Sequence, residues 1–185
     1  MLATLLFMNV VLNQEKPLMC PINNEAIPES APFKIFNGVK VMFCCAGCDT
    51  AFAKDPVANL AKSAKKGQTS AVFMFEPFTK KPIDPMASKF TADYNGIRYG
   101  FSSAANQTKF KVNPASFAKM PKNEVLYCVV ANEEVKSYDA ASGYMDYNGT
   151  RYYFCCAGCD TKFAKDPASF VKNAKGHIKP TVWGK

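Results

Sequence analysis

The sequence is poor in the residues on which several common functions depend. Of its 23 basic residues only Arg98 and Arg151 are arginines, and His177 is the single histidine. Nucleic-acid-binding proteins usually present arginine-bearing patches with exposed aromatic side chains. The net charge of +8 comes almost wholly from scattered lysines, so it predicts a solvated surface and no nucleic-acid partner. No general acid and base pair, nucleophile triad or phosphate-binding loop is visible, and we therefore expect no enzymatic activity.

The sequence also lacks an apolar run that could cross a bilayer, for which a helix needs about 20 residues. Its most apolar stretch, residues 1–12, resembles the core of a secretory signal peptide or a short buried strand or helix. The signal pattern is incomplete, because no lysine or arginine precedes the apolar residues and residues 11–13 are a poor cleavage site. We expect residues 1–17 to be a signal-peptide-like segment, the protein to be periplasmic or secreted, and no stable membrane anchor.

Three stretches of the chain share one pattern. Each contains an Asn-Gly pair between two short runs of aromatic or β-branched residues, and residues 43–50 recur unchanged as residues 154–161. We predict three tandem units at 18–66, 73–120 and 126–176, followed by a tail at 177–185. Because units of this size are near the lower limit for an independent hydrophobic core, each needs a covalent or metal staple, or a neighbouring unit.

The turn and capping residues of each unit predict its local structure. Asn-Gly is the strongest short hairpin signal, because both central residues of a type I′ turn need positive φ. Small residues after the second strand allow a tight turn into a short helix, and Asp55 or Asp166 can cap a second helix that begins with proline. We expect an α+β protein whose units are β-hairpins followed by two short helices. The apolar residues expected to pack on the hairpins are Phe52, Leu60, Phe110, Phe117, Phe163, Phe170 and Val171.

All eight cysteines fall into two sets of identical order. In each set a distant cysteine is followed, after 23 or 26 residues, by Cys-Cys-x-x-Cys at the end of a strand. Two thiolates from one tight turn can occupy adjacent corners of a metal tetrahedron, whereas adjacent residues of a strand point to opposite faces. We therefore expect three thiolate ligands in each site, with the fourth position open. The sets are Cys20, Cys44, Cys45, Cys48 and Cys128, Cys155, Cys156, Cys159.

The middle unit has none of these cysteines. At the aligned positions it has Phe75, Ser102, Ser103 and Asn106, whereas its Asn-Gly turn, aromatic residues and helix cap remain. Cysteines that are absent as a set are expected to act as a set, as the members of a metal site or a disulfide do. We interpret Phe75 as an apolar plug at the position of the first ligand.

Three interpretations of the cysteine sets stay open. A structural thiolate site for zinc contributes on the order of 10 kcal/mol to folding, and a disulfide closing a loop of this length contributes about 3 kcal/mol. Export favours disulfides. If the cysteines form disulfides, the chain would be a disulfide-stapled structural or interaction module that binds a partner protein through its basic surface. Cys-x-x-Cys at a helix start also suits dithiol redox chemistry, although the βαβ context of thioredoxin-type proteins is missing.

The stretch from Tyr152 to Pro167 carries a resemblance to a known family. It reads Tyr-Tyr-Phe-Cys-Cys-Ala-Gly-Cys-Asp-Thr-Lys-Phe-Ala-Lys-Asp-Pro after an Asn-Gly hairpin, and it resembles the YHS and TRASH-like family of small metal-binding modules. The resemblance covers each unit, and hence most of residues 18–176. It implies a treble-clef-like fold, heavy-metal trafficking, resistance or sensing, and Zn²⁺ or Cu⁺ as the bound ion.

The same resemblance implies a ligand set for each outer unit. In the family pattern the metal ligands are two cysteines separated by three residues, together with one cysteine near the start of the module. By motif position, Cys45 and Cys156 are additional to this pattern, and their role stays open. The implied ligands are Cys20, Cys44 and Cys48 in the first unit, and Cys128, Cys155 and Cys159 in the third.

Overall fold

The computed structural model describes residues 16–184, so nearly all of the predicted signal-peptide-like segment lies outside the described residues. The chain contains both strands and helices, with antiparallel hairpins followed by helices, which confirms the α+β class. The strands are β1 (Phe33–Phe36), β2 (Val39–Met42), β3 (Ala71–Phe73), β4 (Phe90–Tyr94), β5 (Ile97–Phe101), β6 (Asn123–Val125), β7 (Tyr127–Cys128), β8 (Glu133–Glu134), β9 (Gly143–Tyr147), β10 (Thr150–Phe154) and β11 (Lys179–Pro180). The helices are α1 (Cys48–Lys54), α2 (Pro56–Lys65), α3 (Ala104–Val112), α4 (Pro114–Phe117), α5 (Cys159–Lys165) and α6 (Pro167–Val171), with 3-10 turns at Lys172–Ala174 and Val182–Gly184.

Each Asn-Gly pair closes a tight turn between two antiparallel strands. Asn37, Asn95 and Asn148 have φ angles of 53°, 49° and 48°, and the glycines that follow them have φ angles of 80°, 78° and 75°. Positive φ at both central residues is what a type I′ turn requires. The turns connect β1 to β2, β4 to β5 and β9 to β10, so the hairpins are confirmed at all three predicted places.

Two helices follow each hairpin, and the second one is capped as expected. Asp55 Oδ1 accepts a hydrogen bond from the backbone N–H of Ala58 at 3.0 Å, and Asp166 Oδ1 accepts one from Ser169 at 3.3 Å. Proline is the first residue of each of these helices, where its missing N–H has no intrahelical partner to lose. The predicted helix residues face the core: Phe52, Leu60, Phe110 and Phe163 are buried, and Phe117, Phe170 and Val171 are partly buried against the core.

The first two units share one sheet, and the third hairpin pairs with strands from outside it. In the five-stranded sheet β1-β2-β3-β5-β4, strand β3 lies between the first two hairpins, antiparallel to β2 and parallel to β5. The third hairpin belongs to the sheet β11-β6-β10-β9, in which β6 is parallel to β10. Strand β11 comes from the segment predicted as a tail and pairs antiparallel with β6. Small units therefore gain part of their core from neighbouring strands. Among residues 16–184, no helix combines the length and the apolar character that a bilayer crossing requires.

Both arginines of the chain are buried beside hairpins. Arg98 Nε lies 2.9 Å from Asp93 Oδ1, and Arg151 Nε lies 2.8 Å from Asp146 Oδ1. The Arg151 guanidinium also lies over the ring of Tyr144, 4.0 Å from its centroid. Because both side chains are inside the protein, they do not contribute to a basic surface.

Polar contacts join the first unit to the third. Asn37, which closes the first hairpin, donates from Nδ2 to Glu124 Oε1 at 2.7 Å and accepts the backbone N–H of Val182 at 2.9 Å. Tyr138 donates its hydroxyl to the same Glu124 oxygen at 2.6 Å. The first turn thus fixes the C-terminal segment to the rest of the molecule as well as reversing the chain.

Candidate metal centres

Three thiols meet in the first unit. Cys20 lies in the loop before the first hairpin, Cys44 follows β2, and Cys48 is the first residue of α1. Their three Sγ atoms all lie within 4.8 Å of one another, and the Cys44 and Cys48 sulfurs are 3.9 Å apart. Cys20 and Cys48 are buried, and Cys44 is half-buried. The cluster is therefore reached from outside through Cys44.

The third unit repeats this arrangement with Cys128, Cys155 and Cys159. Their sulfurs also lie within 4.8 Å of one another, and the order of burial is the same. Cys155 directly follows β10 and Cys159 begins α5, as Cys48 begins α1, whereas Cys128 ends the short strand β7 and Cys20 lies in a loop. The structure thus brings together the same two triplets that the family resemblance implies.

The additional cysteines lie on the exposed side of each cluster. Cys45 Sγ is 3.3 Å from Cys48 Sγ and 3.7 Å from Cys44 Sγ, and Cys156 Sγ is 3.0 Å from Cys159 Sγ. The expectation that adjacent cysteines point to opposite faces of a strand is wrong. Strand β2 already ends at Met42, so Cys44 and Cys45 belong to a turn in which both sulfurs can face the same centre.

Backbone N–H groups converge on the innermost thiol of each cluster. Burial raises the pKa of Cys20, but the N–H groups of Cys44, Asn23 and Ile22 donate to its sulfur, and the net effect is a lowered pKa. Burial likewise opposes the ionisation of Cys128, and backbone donors that include Cys155 lower its pKa below the ordinary value. Donors directed at the charged form favour it, so the innermost position of each cluster is the one that best accommodates a thiolate.

The other thiols of the clusters are harder to ionise. Burial, followed by contact with Cys45, raises the pKa of Cys48 to about 12, and burial with contact to Cys128 raises that of Cys155 to about 12. Burial is also the main cause of the raised pKa values of Cys44 and Cys159. A second thiolate beside the first therefore needs a nearby cation to compensate its charge. In thiolate metal sites the bound metal ion is that cation.

The middle unit has a carboxylate at the position of the innermost thiol. In each unit a residue with positive φ donates its N–H to the carbonyl oxygen of the residue four positions earlier. The three acceptor residues are Cys20, Glu76 and Cys128, with N···O distances of 2.9, 2.9 and 2.7 Å. The interpretation of Phe75 as a plug at this position is wrong by one residue, because the ring of Phe75 packs in the core, 5.4 Å from that of Tyr144.

Glu76 is hydrogen-bonded to the residues that stand in place of the other two ligands. Its Oε1 accepts from Ser102 Oγ at 3.1 Å, from the Ser102 backbone N–H at 3.2 Å and from Asn106 Nδ2 at 2.7 Å. Its Oε2 accepts from Thr79 Oγ1 at 2.8 Å. Burial raises the pKa of Glu76, but the donors, with Asn106 first, more than offset this and lower it.

The two outer clusters differ in their polar neighbours. Asn23 Nδ2 lies 3.6 Å from the sulfurs of both Cys44 and Cys45, whereas the corresponding residue of the third unit is Ala131. Each helix that carries a thiol is also held by an ion pair. In the first unit the pair lies within the unit, whereas in the third unit it reaches into the middle one. The pairs are Lys34–Asp49 at 2.8 Å and Lys81–Asp160 at 2.6 Å.

Part of the third unit matches the model of a known protein family. Residues 136–174 match the model of the YHS domain, a metal-binding family. The matched part contains the third hairpin, Cys155, Cys159 and the two helices that follow, but not Cys128 or either of the first two units. No curated protein and no solved structure matches the chain. The relationship to YHS domains is therefore shown for the third unit alone.

Proposed function

We propose that the chain is an exported heavy-metal-binding protein of the YHS or TRASH-like type, made of three copies of one treble-clef-like module. Its outer units would each hold one ion, Zn²⁺ or Cu⁺, on Cys20, Cys44 and Cys48 and on Cys128, Cys155 and Cys159. The observation that carries the proposal is that two separate triplets of thiols converge to within 4.8 Å. Within each triplet the first cysteine lies more than 20 residues before the other two, so the three thiols meet only through the fold.

The separations of the sulfurs fit a metal ion. With metal–sulfur bonds of about 2.3 Å, the corners of a tetrahedral thiolate site lie roughly 3.8 Å apart. The Cys44 and Cys48 sulfurs are 3.9 Å apart, and the Cys45 sulfur lies 3.7 Å from that of Cys44. Thiolates are soft ligands that select Zn²⁺ and Cu⁺ over hard cations, which supports these two ions.

The role that we propose is binding and handling of the metal, without catalysis. The half-buried Cys44 and the exposed Cys45 leave one side of the first cluster open, as a site that exchanges its ion requires. Partners would be the metal ion and a second protein that delivers or receives it, with no nucleic acid. The middle unit would serve as a metal-independent spacer, because Glu76 already satisfies the side chains around it.

Native mass spectrometry of protein purified without chelator tests the proposal. We expect two ions per chain, one after Cys48→Ser, and none after Cys48→Ser with Cys159→Ser. The matched control is Asn106→Ser, which changes the corresponding position of the middle unit and should leave both ions in place. A metal-free protein whose cysteines resist alkylation until they are reduced would identify the disulfide-stapled module instead.

Export is tested separately by expressing the full chain and determining the N-terminus of the product in each cell fraction. We expect a product shortened within or directly after residues 1–17 in the periplasm or medium. A full-length product confined to the cytoplasm would contradict export without affecting the metal sites.

A further inference from the structure

Each outer unit places an exposed thiol against a buried ligand thiol. Cys45 is exposed and Cys48 is buried, and their sulfurs are 3.3 Å apart. Cys156 and Cys159 repeat this combination at 3.0 Å. These two contacts are shorter than those of Cys44 with Cys45 and Cys48, at 3.7 and 3.9 Å. Among Cys44, Cys45 and Cys48 the same pair is thus the closest one, and it recurs in the third unit.

The turn between the paired cysteines leaves them room to approach. Gly47 and Gly158 have φ angles of 90° and 86°, and among residues 16–184 no heavy atom beyond their chain neighbours lies within 4 Å of the position that a Cβ would take on either. Because a disulfide has a sulfur–sulfur distance of about 2.05 Å, each pair has to close by only roughly 1 Å. The exposed turn can take up this movement without displacing the core.

We propose that Cys45–Cys48 and Cys156–Cys159 are reversible disulfide sites whose oxidation releases the bound metal. The released ion is the one that the proposed function assigns to each outer unit, and this inference rests on the proposed function for that ion. The exposed thiol is the entry point for a small disulfide oxidant, and the buried thiol is the resolving partner. Oxidation removes one of three ligands, which leaves Cys20 with Cys44, or Cys128 with Cys155.

The reaction balances with a low-molecular-weight disulfide as the oxidant. The Cys45 sulfur attacks one sulfur of the oxidant, the sulfur–sulfur bond of the oxidant breaks, and a mixed disulfide forms while the other half leaves as a thiolate and takes up the proton lost by Cys45. The Cys48 sulfur then attacks Cys45 Sγ, its bond to the metal breaks, and the second thiolate leaves and takes a proton from water. Two electrons pass from the two cysteine sulfurs to the oxidant, and a dithiol reductant reverses the reaction.

The experiment uses the full chain loaded with zinc and treated with oxidised glutathione. Zinc release is followed with a chromogenic chelator, and disulfides are located by peptide mapping after alkylation. We expect the wild type to release two ions in step with disulfides 45–48 and 156–159. Cys45→Ser should release one ion, from the third unit, and the double variant Cys45→Ser with Cys156→Ser should release zinc at least tenfold more slowly. Ala46→Ser with Ala157→Ser is the matched control for changes in the exposed turn.

The single variant contains its own control, because its third unit must still respond. Release from the double variant at the wild-type rate, or disulfides that join Cys20 or Cys44, would overturn the inference. Two ions that stay bound with all thiols reduced would overturn it and leave the proposed function standing. If neither zinc nor Cu⁺ loads at the start, the proposed function fails instead. The disulfide map of the metal-free chain then decides, with pairs 45–48 and 156–159 supporting the redox site and any other pairing contradicting it.

Discussion

The outer units and the middle unit solve one structural problem in two ways. All three bring an N-terminal loop, the end of a hairpin and the start of a helix to one point. In the outer units thiols meet there, whereas in the middle unit the carboxylate of Glu76 accepts hydrogen bonds from Thr79, Ser102 and Asn106. The same backbone arrangement can therefore be held together in two ways. One is several thiolate ligands around a cation, and the other is one carboxylate surrounded by neutral hydrogen-bond donors.

The difference lies in what each solution needs from outside. A carboxylate with four donors is satisfied within the chain, because hydrogen bonds to an ionised group are the strong ones. A cluster of thiols stabilises one thiolate through backbone donors but raises the pKa of its neighbours. We therefore expect the outer units to depend on metal and the middle unit not to.

Metal removal should have the largest effect and should separate the units. A structural thiolate site contributes on the order of 10 kcal/mol, so chelation should expose helices α1 and α5 to hydrogen exchange. Helix α3 should keep its protection, since Glu76 holds its first turn through Asn106. Hydrogen exchange measured by mass spectrometry with and without chelator checks this. Equal loss of protection in all three helices would contradict the comparison.

Cysteines introduced into the middle unit should create a third site. The variant Glu76→Cys, Ser102→Cys, Asn106→Cys places thiols at the three positions that correspond to the outer ligands. We expect three ions per chain by native mass spectrometry, compared with two for the wild type. The control carries Phe75→Cys in place of Glu76→Cys and should bind only two, because residue 75 points into the core. Three ions in the control, or two in the test variant, would refute the structural correspondence.

This control follows from a place where the sequence was misleading. Aligning the apolar residues at the start of the units places Phe75 opposite Cys20 and Cys128, because Phe and Cys are both common in cores. The backbone hydrogen bonds instead align Glu76. A charged residue next to an apolar run gives no signal of its own, and the partners Ser102 and Asn106 lie 26 and 30 residues further along. Only the fold reveals them.

Local chemistry was predictable where it is determined locally. The Asn-Gly turns, the caps at Asp55 and Asp166 and the α+β class follow from residues close together in the chain. The sharing of β3 between two hairpins and the pairing of β11 with β6 depend on contacts between distant segments, for which short strands carry no signature. The position of Cys45 was also missed, because the end of β2 at Met42 decides which way it points.

A smaller effect is expected when Glu76 loses its charge. Hydrogen bonds to charged groups contribute about 1.5–3 kcal/mol, so Glu76→Gln should lower the free energy of unfolding by about 2 kcal/mol at neutral pH. Because folding lowers the pKa of Glu76, its contribution is present above the unfolded-state pKa of about 4.3 and is lost as pH falls through the folded-state pKa. The difference between wild type and variant should therefore disappear in acid, where denaturant unfolding can measure it.

The metal sites contribute equally to both proteins and cancel in that difference. Glu29→Gln, at an exposed position, is the matched control and should change stability by less than about 0.5 kcal/mol. A difference for Glu76→Gln that is independent of pH would show that the carboxylate is not the ionised acceptor of these hydrogen bonds.

The smallest expected effect concerns the difference between the two outer clusters. Asn23 donates toward the sulfurs of Cys44 and Cys45, and a hydrogen bond of this kind contributes about 0.5–1.5 kcal/mol. Asn23→Ala should therefore weaken zinc binding at the first site by roughly threefold to tenfold, measured by chelator competition with the third site removed by Cys159→Ser. The reciprocal change, Ala131→Asn with Cys48→Ser, should raise the zinc affinity of the third site by a smaller factor. The residues around position 131 are not arranged to orient an amide side chain. Unchanged affinity in both variants would mean that the two sites are equivalent and that Asn23 is a surface residue.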